Sequence, residues 1–421
     1  MQETQRLSVG IIGISGRGSF MLETLLQISY IDVPAICDLY EDRVRKGVEL
    51  VQQKRGVTPD GYQDYRRLLA RDDLSAVLIC TTWITHSRIA IAAMRAGKNA
   101  AIEVGGAASV EECWQLVRTS EETGKFCMLL ENICYGKDEL TLFRMARQGL
   151  FGEIVHVQGG YEHDLRDEIC LGRENRHGRL FNFMNRNGEL YPTHQLGPLA
   201  KLLRINRGNR FLTLSCMTSK SRGLHEWILE NKGAGYDLAN TAFTQGDVTT
   251  TMIRCAHGET ILLVHDCCLP RPYSRNGRIQ GTQGIWMEDG NRIYLQHSCT
   301  REHEWDDFPP IRDRYLHPLW QEYEREGVDE AGHGGVDLLV LRAFAESARD
   351  GLAPPIDVYD TAAWMSITCL SEQSAAMGGM PVAIPDFTNG MWIDREPFRR
   401  GKYCLEEVCM ESFEEIAEET R

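Results

Sequence analysis

The chain has 421 residues, 43% of them apolar and 25% charged, the usage of an ordinary globular protein too long for one hydrophobic core. Two domains are expected, over residues 1–134 and 135–421. The formal net charge of −14 argues against a nucleic-acid or anionic-membrane surface, since either calls for a basic face, so a small-molecule partner is expected.

The first residues lack the charged, apolar and cleavage regions of a leader, and no apolar run is long enough to span a bilayer. A cytoplasmic protein is the expectation. The 14 cysteines are scattered without a C-x-x-C pair, which predicts reduced, mostly buried thiols and no metal site.

In chain order, an apolar strand over 7–15 runs into a glycine-rich turn and then a helix over 20–28. Gly13 and Gly18 hold the outer positions of an altered G-x-G-x-x-G, with Ser15 at its centre and Gly16 and Arg17 following. Strand, turn and helix in that order open a Rossmann unit, in which backbone approaches a pyrophosphate and a helix N-terminus faces its charge. A second strand over 33–37 ends in Asp38, twenty residues after Gly18. A carboxylate there accepts from ribose hydroxyls and repels a 2′-phosphate, which favours NAD over NADP. Arg17 could pair with such a phosphate, and Asp38 could be a simple strand-end turn residue.

A helix over 41–53, a polar loop and a short helix over 64–69 follow, then a strand over 76–80 opening into Trp83, Ile84, Thr85 and His86. After a helix over 87–96, a strand over 99–102 ends in Glu103 and Val104. A helix over 110–123 and a strand over 126–130 bring in Glu131 and Asn132. This regular alternation predicts an α/β, doubly wound parallel sheet.

From about Tyr135 the pattern changes. A helix over 137–148 leads to a strand over 154–161, hairpins are read over 248–267 and 284–295, and long amphipathic helices over 335–350 and 358–377. An α+β domain is expected, an open and mostly antiparallel sheet with helices on one face, through which the chain forms a homo-oligomer. The acidic end, 406–421, reads as a solvated helix.

The chemistry concentrates near the middle, where Tyr191, Pro192, Thr193 and His194 put a phenol, a hydroxyl and an imidazole within four positions. Such groups suit proton transfer. They also suit a helix entry, with Thr193 as N-cap and Leu196, Leu199, Ala200, Leu202 and Leu203 as the buried stripe.

A Rossmann domain followed by an open sheet resembles the Gfo/Idh/MocA oxidoreductases. Many of these carry a catalytic lysine after the glutamate that matches Glu103. Here the run is Glu103-Val104-Gly105, without it. The motifs over 13–18, 81–86, 103–104, 131–132, 160–166, 186–198, 271–281 and 385–388 are instead similar to the NAD-dependent glycosidases of glycoside hydrolase family 109, typified by α-N-acetylgalactosaminidase. That resemblance implies cofactor contacts at Gly16, Arg17, Asp38, Trp83, Ile84, Thr85, His86, Glu103, Val104 and Asn132. It implies sugar contacts at Tyr161, Arg179, Tyr191, Pro192, Thr193, His194 and Tyr273.

It also implies a route: oxidation at C3 by tightly bound NAD, elimination across C1 and C2, addition of water and return of the hydride. His194 is assigned to the C3 hydroxyl and Tyr191 to C2 or the leaving group, with the reverse order open. On residue types alone Tyr161 and Tyr273 read equally as strand tyrosines, and Trp83 and His86 as loop packing. An NAD-dependent sugar oxidoreductase on the same scaffold is the alternative.

Overall fold

The computed structural model describes residues 6–327, 333–395 and 401–405, so the acidic end lies outside the described residues. The first six strands are β1 (Leu7–Ile12), β2 (Ile31–Cys37), β3 (Asp60–Tyr62), β4 (Ala76–Ile79), β5 (Asn99–Ile102) and β6 (Cys127–Leu129). They form one sheet in the order β3-β2-β1-β4-β5-β6, with every pair parallel. β4 and β6 are buried along their whole length because helices cover both faces, which is why they read as unbroken apolar runs. The strand order reverses between β1 and β4, and ligands bind outside the carboxyl ends of strands at such a point.

The local differences from expectation have physical causes. β3 lies in the stretch read as a polar loop. Its exposed Asp60 and Gly61 carry no β signal, and pairing to β2 alone makes it a strand. The first helix is Gly16–Leu25, so it begins within the glycine turn itself. The fourth is Trp83–Arg95 rather than one starting at Ser87: Thr82 is its extended N-cap residue, and the Thr85 hydroxyl donates to the Thr82 carbonyl at 2.8 Å, closing the first turn.

The later strands are β7 (Ile154–Glu162), β8 (Phe211–Thr218), β9 (Val248–Cys255), β10 (Thr260–Asp266), β11 (Arg278–Gly281), β12 (Gly284–Met287), β13 (Arg292–Leu295), β14 (Asp306–Asp307) and β15 (Val382–Ala383). They build a nine-stranded sheet, β14-β13-β12-β11-β7-β10-β9-β8-β15, antiparallel throughout except for the central pair β7 and β10. The helix Thr193–Leu202 packs on β7 and the helix Val358–Ala376 on β8. The second of these is buried rather than amphipathic, with thirteen of its nineteen residues buried. It lies between β8 and the helix Val110–Thr123, so it joins the two sheets, and a helix with neighbours all round has no polar face to show. Among the described residues no helix is long and apolar enough to cross a membrane.

Candidate active site

A cleft of about 1410 Å³ runs along the carboxyl ends of the parallel strands and continues under the second sheet. Of the sequence-predicted cofactor residues, Gly13, Ser15, Gly16, Arg17, Asp38, Trp83, Thr85, His86, Glu103, Val104 and Asn132 line it. Gly18 and Ile84 do not. A Cβ on Gly18 would overlap the Gly13 carbonyl oxygen, so this glycine serves helix-to-strand packing, while Ile84 points outward on the helix's first turn and is 40% exposed. Gly13 has φ +98°, and a side chain there would press on the Cys80 carbonyl.

Asp38 is the strand-end turn residue, and it also lines the cleft. Its Oδ2 accepts from the Ile14 N–H at 2.7 Å and its Oδ1 from the Tyr40 N–H at 3.0 Å, which fixes the loop, and the carboxylate still faces the cleft. Arg17 is committed elsewhere than to a phosphate. Its Nε donates to Glu103 Oε1 at 3.0 Å, and Nη1 and Nη2 donate to the two oxygens of Asp337 at 3.0 and 2.7 Å. Glu103 therefore finds its partner in Arg17, with the neighbouring Val104 N–H at 3.2 Å on its other oxygen. Burial pushes the His86 imidazole down to about 4, so it is neutral, and Nε2 donates to the Thr81 carbonyl at 2.9 Å.

At the other end the cleft is walled by Tyr161, Arg179, Tyr191, His194 and Tyr273. Pro192 and Thr193 do not reach it. The helix opens at Thr193 with Pro192 before it, and the Thr193 hydroxyl is fully buried with no hydrogen-bond partner among the described residues, so it is not the N-cap. Tyr191 is the hub of the wall: ring centroids lie 4.6 Å away for Tyr161, 5.2 Å for Trp83 and 5.0 Å for His194, the last edge-on. The buried Arg179 guanidinium sits over the rings of Trp83, Tyr191 and Tyr161 at 5.2, 5.4 and 5.9 Å, with Nε 3.0 Å from Glu168 Oε1. A cation over ring faces is attracted by their quadrupoles. The Tyr161 hydroxyl lies 3.2 Å from His163 Nδ1, and Tyr273 stands edge-on to Tyr161 at the rim, half exposed.

His194 Nδ1 is 2.8 Å from Oε1 of the fully buried Glu131. An ionised carboxylate only accepts, so Nδ1 carries the hydrogen and Nε2 keeps a lone pair. Burial pushes the Tyr191 phenol well above its usual range, next Tyr161 and Glu103 add to the rise, and Arg179 opposes it. Tyr191 thus holds its proton. The sequence reading missed Glu131 as a partner of His194, along with Asp337, Glu168 and His163. Glu131 stood at a strand end beside Asn132, which was a usable signal, whereas Asp337 carried none.

Residues 135–394 match the family model described as "Glycosyl hydrolase 109, C-terminal domain", and residues 7–130 match "Oxidoreductase family, NAD-binding Rossmann fold". The chain belongs to glycosyl hydrolase family 109. A protein of that family named α-N-acetylgalactosaminidase, from Tannerella forsythia, is 40% identical over 414 residues, covering 93% of this chain and 88% of its own. A family 109 protein of Parabacteroides distasonis is 39% identical over 93% of this chain and 89% of its own. Among solved structures, an oxidoreductase domain protein from Kribbella flavida superposes with a TM-score of 0.68 at 18% identity, over 90% of this chain and all of that one. A levoglucosan dehydrogenase in complex with NADH gives 0.67 at 19%, over 91% and 100%. These likenesses fix the fold as that of Gfo/Idh/MocA oxidoreductases, with an NAD-binding Rossmann domain.

The residues of this member fit a dinucleotide. The bare backbone at Gly16 faces open space that admits a close ligand, Asp38 offers a carboxylate to the cleft, and the Asn132 Oδ1 is buried in the cleft wall without a partner among the described residues. A buried acceptor left unpaired costs about 1–3 kcal/mol, so a ligand donor there would be stabilising.

Proposed function

We propose that this chain is an NAD-dependent glycosidase that hydrolyses terminal N-acetylgalactosamine, or a related sugar, from small glycosides or oligosaccharide ends. The observation that carries the reading is one cleft holding both the dinucleotide residues and a base, His194 tied to Glu131, beside a buried phenol, Tyr191. The 40% identity to a protein named for that sugar supports the substrate class.

NAD, when bound, would supply a reversible hydride acceptor for C3. Oxidation there acidifies the hydrogen at C2, whose proton passes to Nε2 of His194 after the C3 proton has left it. The aglycone departs from C1 in the same step, and water adds across C1 and C2 before the hydride is returned. His194 takes the proton of the C3 hydroxyl at Nε2, and Glu131 stabilises the imidazolium that results. Tyr191, still protonated at neutral pH, donates to the departing oxygen. Arg179 and Tyr161 hold the ring hydroxyls, and Tyr273, half exposed at the rim, stands where the water that adds across C1 and C2 enters. The cofactor, once bound, would be recycled in each turnover and need not leave.

The test is a panel of chromogenic α- and β-glycosides assayed in deuterated water. Deuterium at C2 of the released sugar, with no net rise in NADH absorbance, is the expected result. Net NADH formation from a free sugar without glycoside cleavage would make the chain a sugar dehydrogenase instead.

A further inference from the structure

The helix Val336–Asp350 belongs to the C-terminal part of the chain, yet its second residue is locked into the wall of the dinucleotide cleft. The Asp337 side chain is fully buried. It accepts from Arg17 Nη1 and Nη2 at 3.0 and 2.7 Å, from Asn132 Nδ2 at 2.8 Å, and lies 2.6 Å from His333 Nδ1.

Two consequences follow from donor and acceptor chemistry alone. An ionised carboxylate only accepts, so Asn132 must turn its NH₂ toward Asp337, which leaves its oxygen as a buried acceptor in the cleft wall with no partner among the described residues. The planar fork of Arg17 is held by Asp337 on one side and Glu103 on the other, which ties the glycine turn to the end of β5 and to the C-terminal helix at once. A free asparagine amide would flip between two orientations, and only one of them offers an acceptor.

We propose that Asp337 is a positioning residue for the dinucleotide: it orients the Asn132 amide and clips the glycine turn through Arg17, and so slows release of the bound cofactor. This rests on the reading of the cleft as an NAD site. Asp337 touches no reacting atom; it acts through Asn132 and Arg17. The burial that would otherwise favour its neutral form is outweighed by His333 and Arg17, which hold the carboxyl well below its usual range, so the clip is charged at every pH at which the fold is used.

The experiment measures exchange of protein-bound NAD for isotopically labelled NAD in full-length protein, by mass spectrometry of the released cofactor. Asp337→Asn can donate to Arg17's neighbours but can no longer pair with the guanidinium charge or dictate the Asn132 orientation. Exchange about 10- to 100-fold faster is expected, the range for loss of hydrogen bonds to a charged group. Glycoside KM should be unchanged, turnover should recover when NAD is added in excess, and the melting temperature of the cofactor-stripped variant should stay at the wild-type value, which a merely structural defect would lower.

Should Asp337→Asn fail to fold by thermal melting, Arg17→Gln, whose side chain is partly exposed, breaks the same clip and must show the same acceleration. A folded variant exchanging NAD at the wild-type rate overturns the assignment. Wild-type protein that neither carries nor binds NAD would instead defeat the reading on which it rests, so the two failures are distinct.

Discussion

Glu131 Oε1 and His194 Nδ1 meet at 2.8 Å although one residue ends the parallel sheet and the other opens a helix against the second sheet. The same glutamate oxygen accepts from the Ile133 N–H at 3.2 Å, so the carboxylate is aimed by backbone before the histidine arrives. The proposed base, His194 with Glu131, is therefore assembled only when the two sheets pack.

Glu131→Gln tests that relationship. An amide can donate to Nδ1, which would move the imidazole hydrogen to Nε2 and remove the lone pair from the cleft. Turnover should fall by about 10²–10⁴-fold, the contribution typical of a positioned acid or base, and His194→Ala should fall by the same order. Bound NAD, measured by chromatography after denaturation, should be unchanged in both. Full activity of His194→Ala would remove the histidine from the mechanism.

Asp38 supports a second prediction, on cofactor choice. Asp38→Asn keeps an oxygen for one of the two backbone N–H donors and loses the negative charge. NAD affinity should weaken by about 10-fold or more, the low end for a hydrogen bond to a charged group, while NADP, no longer repelled, should lose less or gain. Calorimetric titration of cofactor-stripped protein with each dinucleotide gives the ratio. An unchanged ratio would mean that Asp38 serves only the loop.

What was legible in the sequence is what a single stretch can carry. The glycine turn, the twenty-residue spacing to Asp38, and the Tyr191 to His194 cluster are local, and the structure brings most of the turn, Asp38, Tyr191 and His194 to one cleft, while Gly18, Pro192 and Thr193 stay out of it. The pairs Glu131 with His194, Asp337 with Arg17 and Glu168 with Arg179 are set by how elements far apart in the chain pack. Thr193 misled because a threonine before an apolar stripe has the right composition for a cap, and here Pro192 already occupies the place. The helix Val358–Ala376 reads as amphipathic in the sequence, yet all of its Ser and Thr residues are buried, and Ser366 and Ser371 bond back to carbonyls in the preceding turn.

Glu189, two residues before Tyr191, gives a pH prediction. It is fully buried in an environment that pushes its carboxyl from 4.5 up to about 8. The folded state therefore binds this proton more tightly than the unfolded chain does. The resulting stabilisation is complete below about 4.5 and is lost as pH rises toward about 8. Glu189→Gln keeps the acceptor for the Tyr191 N–H and cannot ionise. Its unfolding free energy relative to wild type should rise across that window, by on the order of a few kcal/mol at the alkaline end. Denaturant melts of both proteins at several pH values check it, and a flat difference would mean that Glu189 does not titrate there.

The last prediction concerns assembly. Alternate residues of a strand share a face, and on the face of the second sheet opposite its buried helices Met217 and Met252 are 67% and 42% exposed. Leu262 pairs with Met252, and Val264 with Thr250 and through it Met217, so the half-buried aliphatics of β10 extend the same patch. Ser215 and Gln158 pair alongside these residues, so the face mixes apolar and polar side chains, and a second copy of the chain is its proposed occupant. Light scattering after size exclusion should give a mass of at least twice 47.8 kDa. Met252→Glu combined with Leu262→Glu should shift it toward the monomer, because two copies would place like charges in a desolvated contact, while glycosidase activity per chain persists because neither residue lines the cleft. Wild-type protein running as a monomer at tens of micromolar would leave the patch without this role.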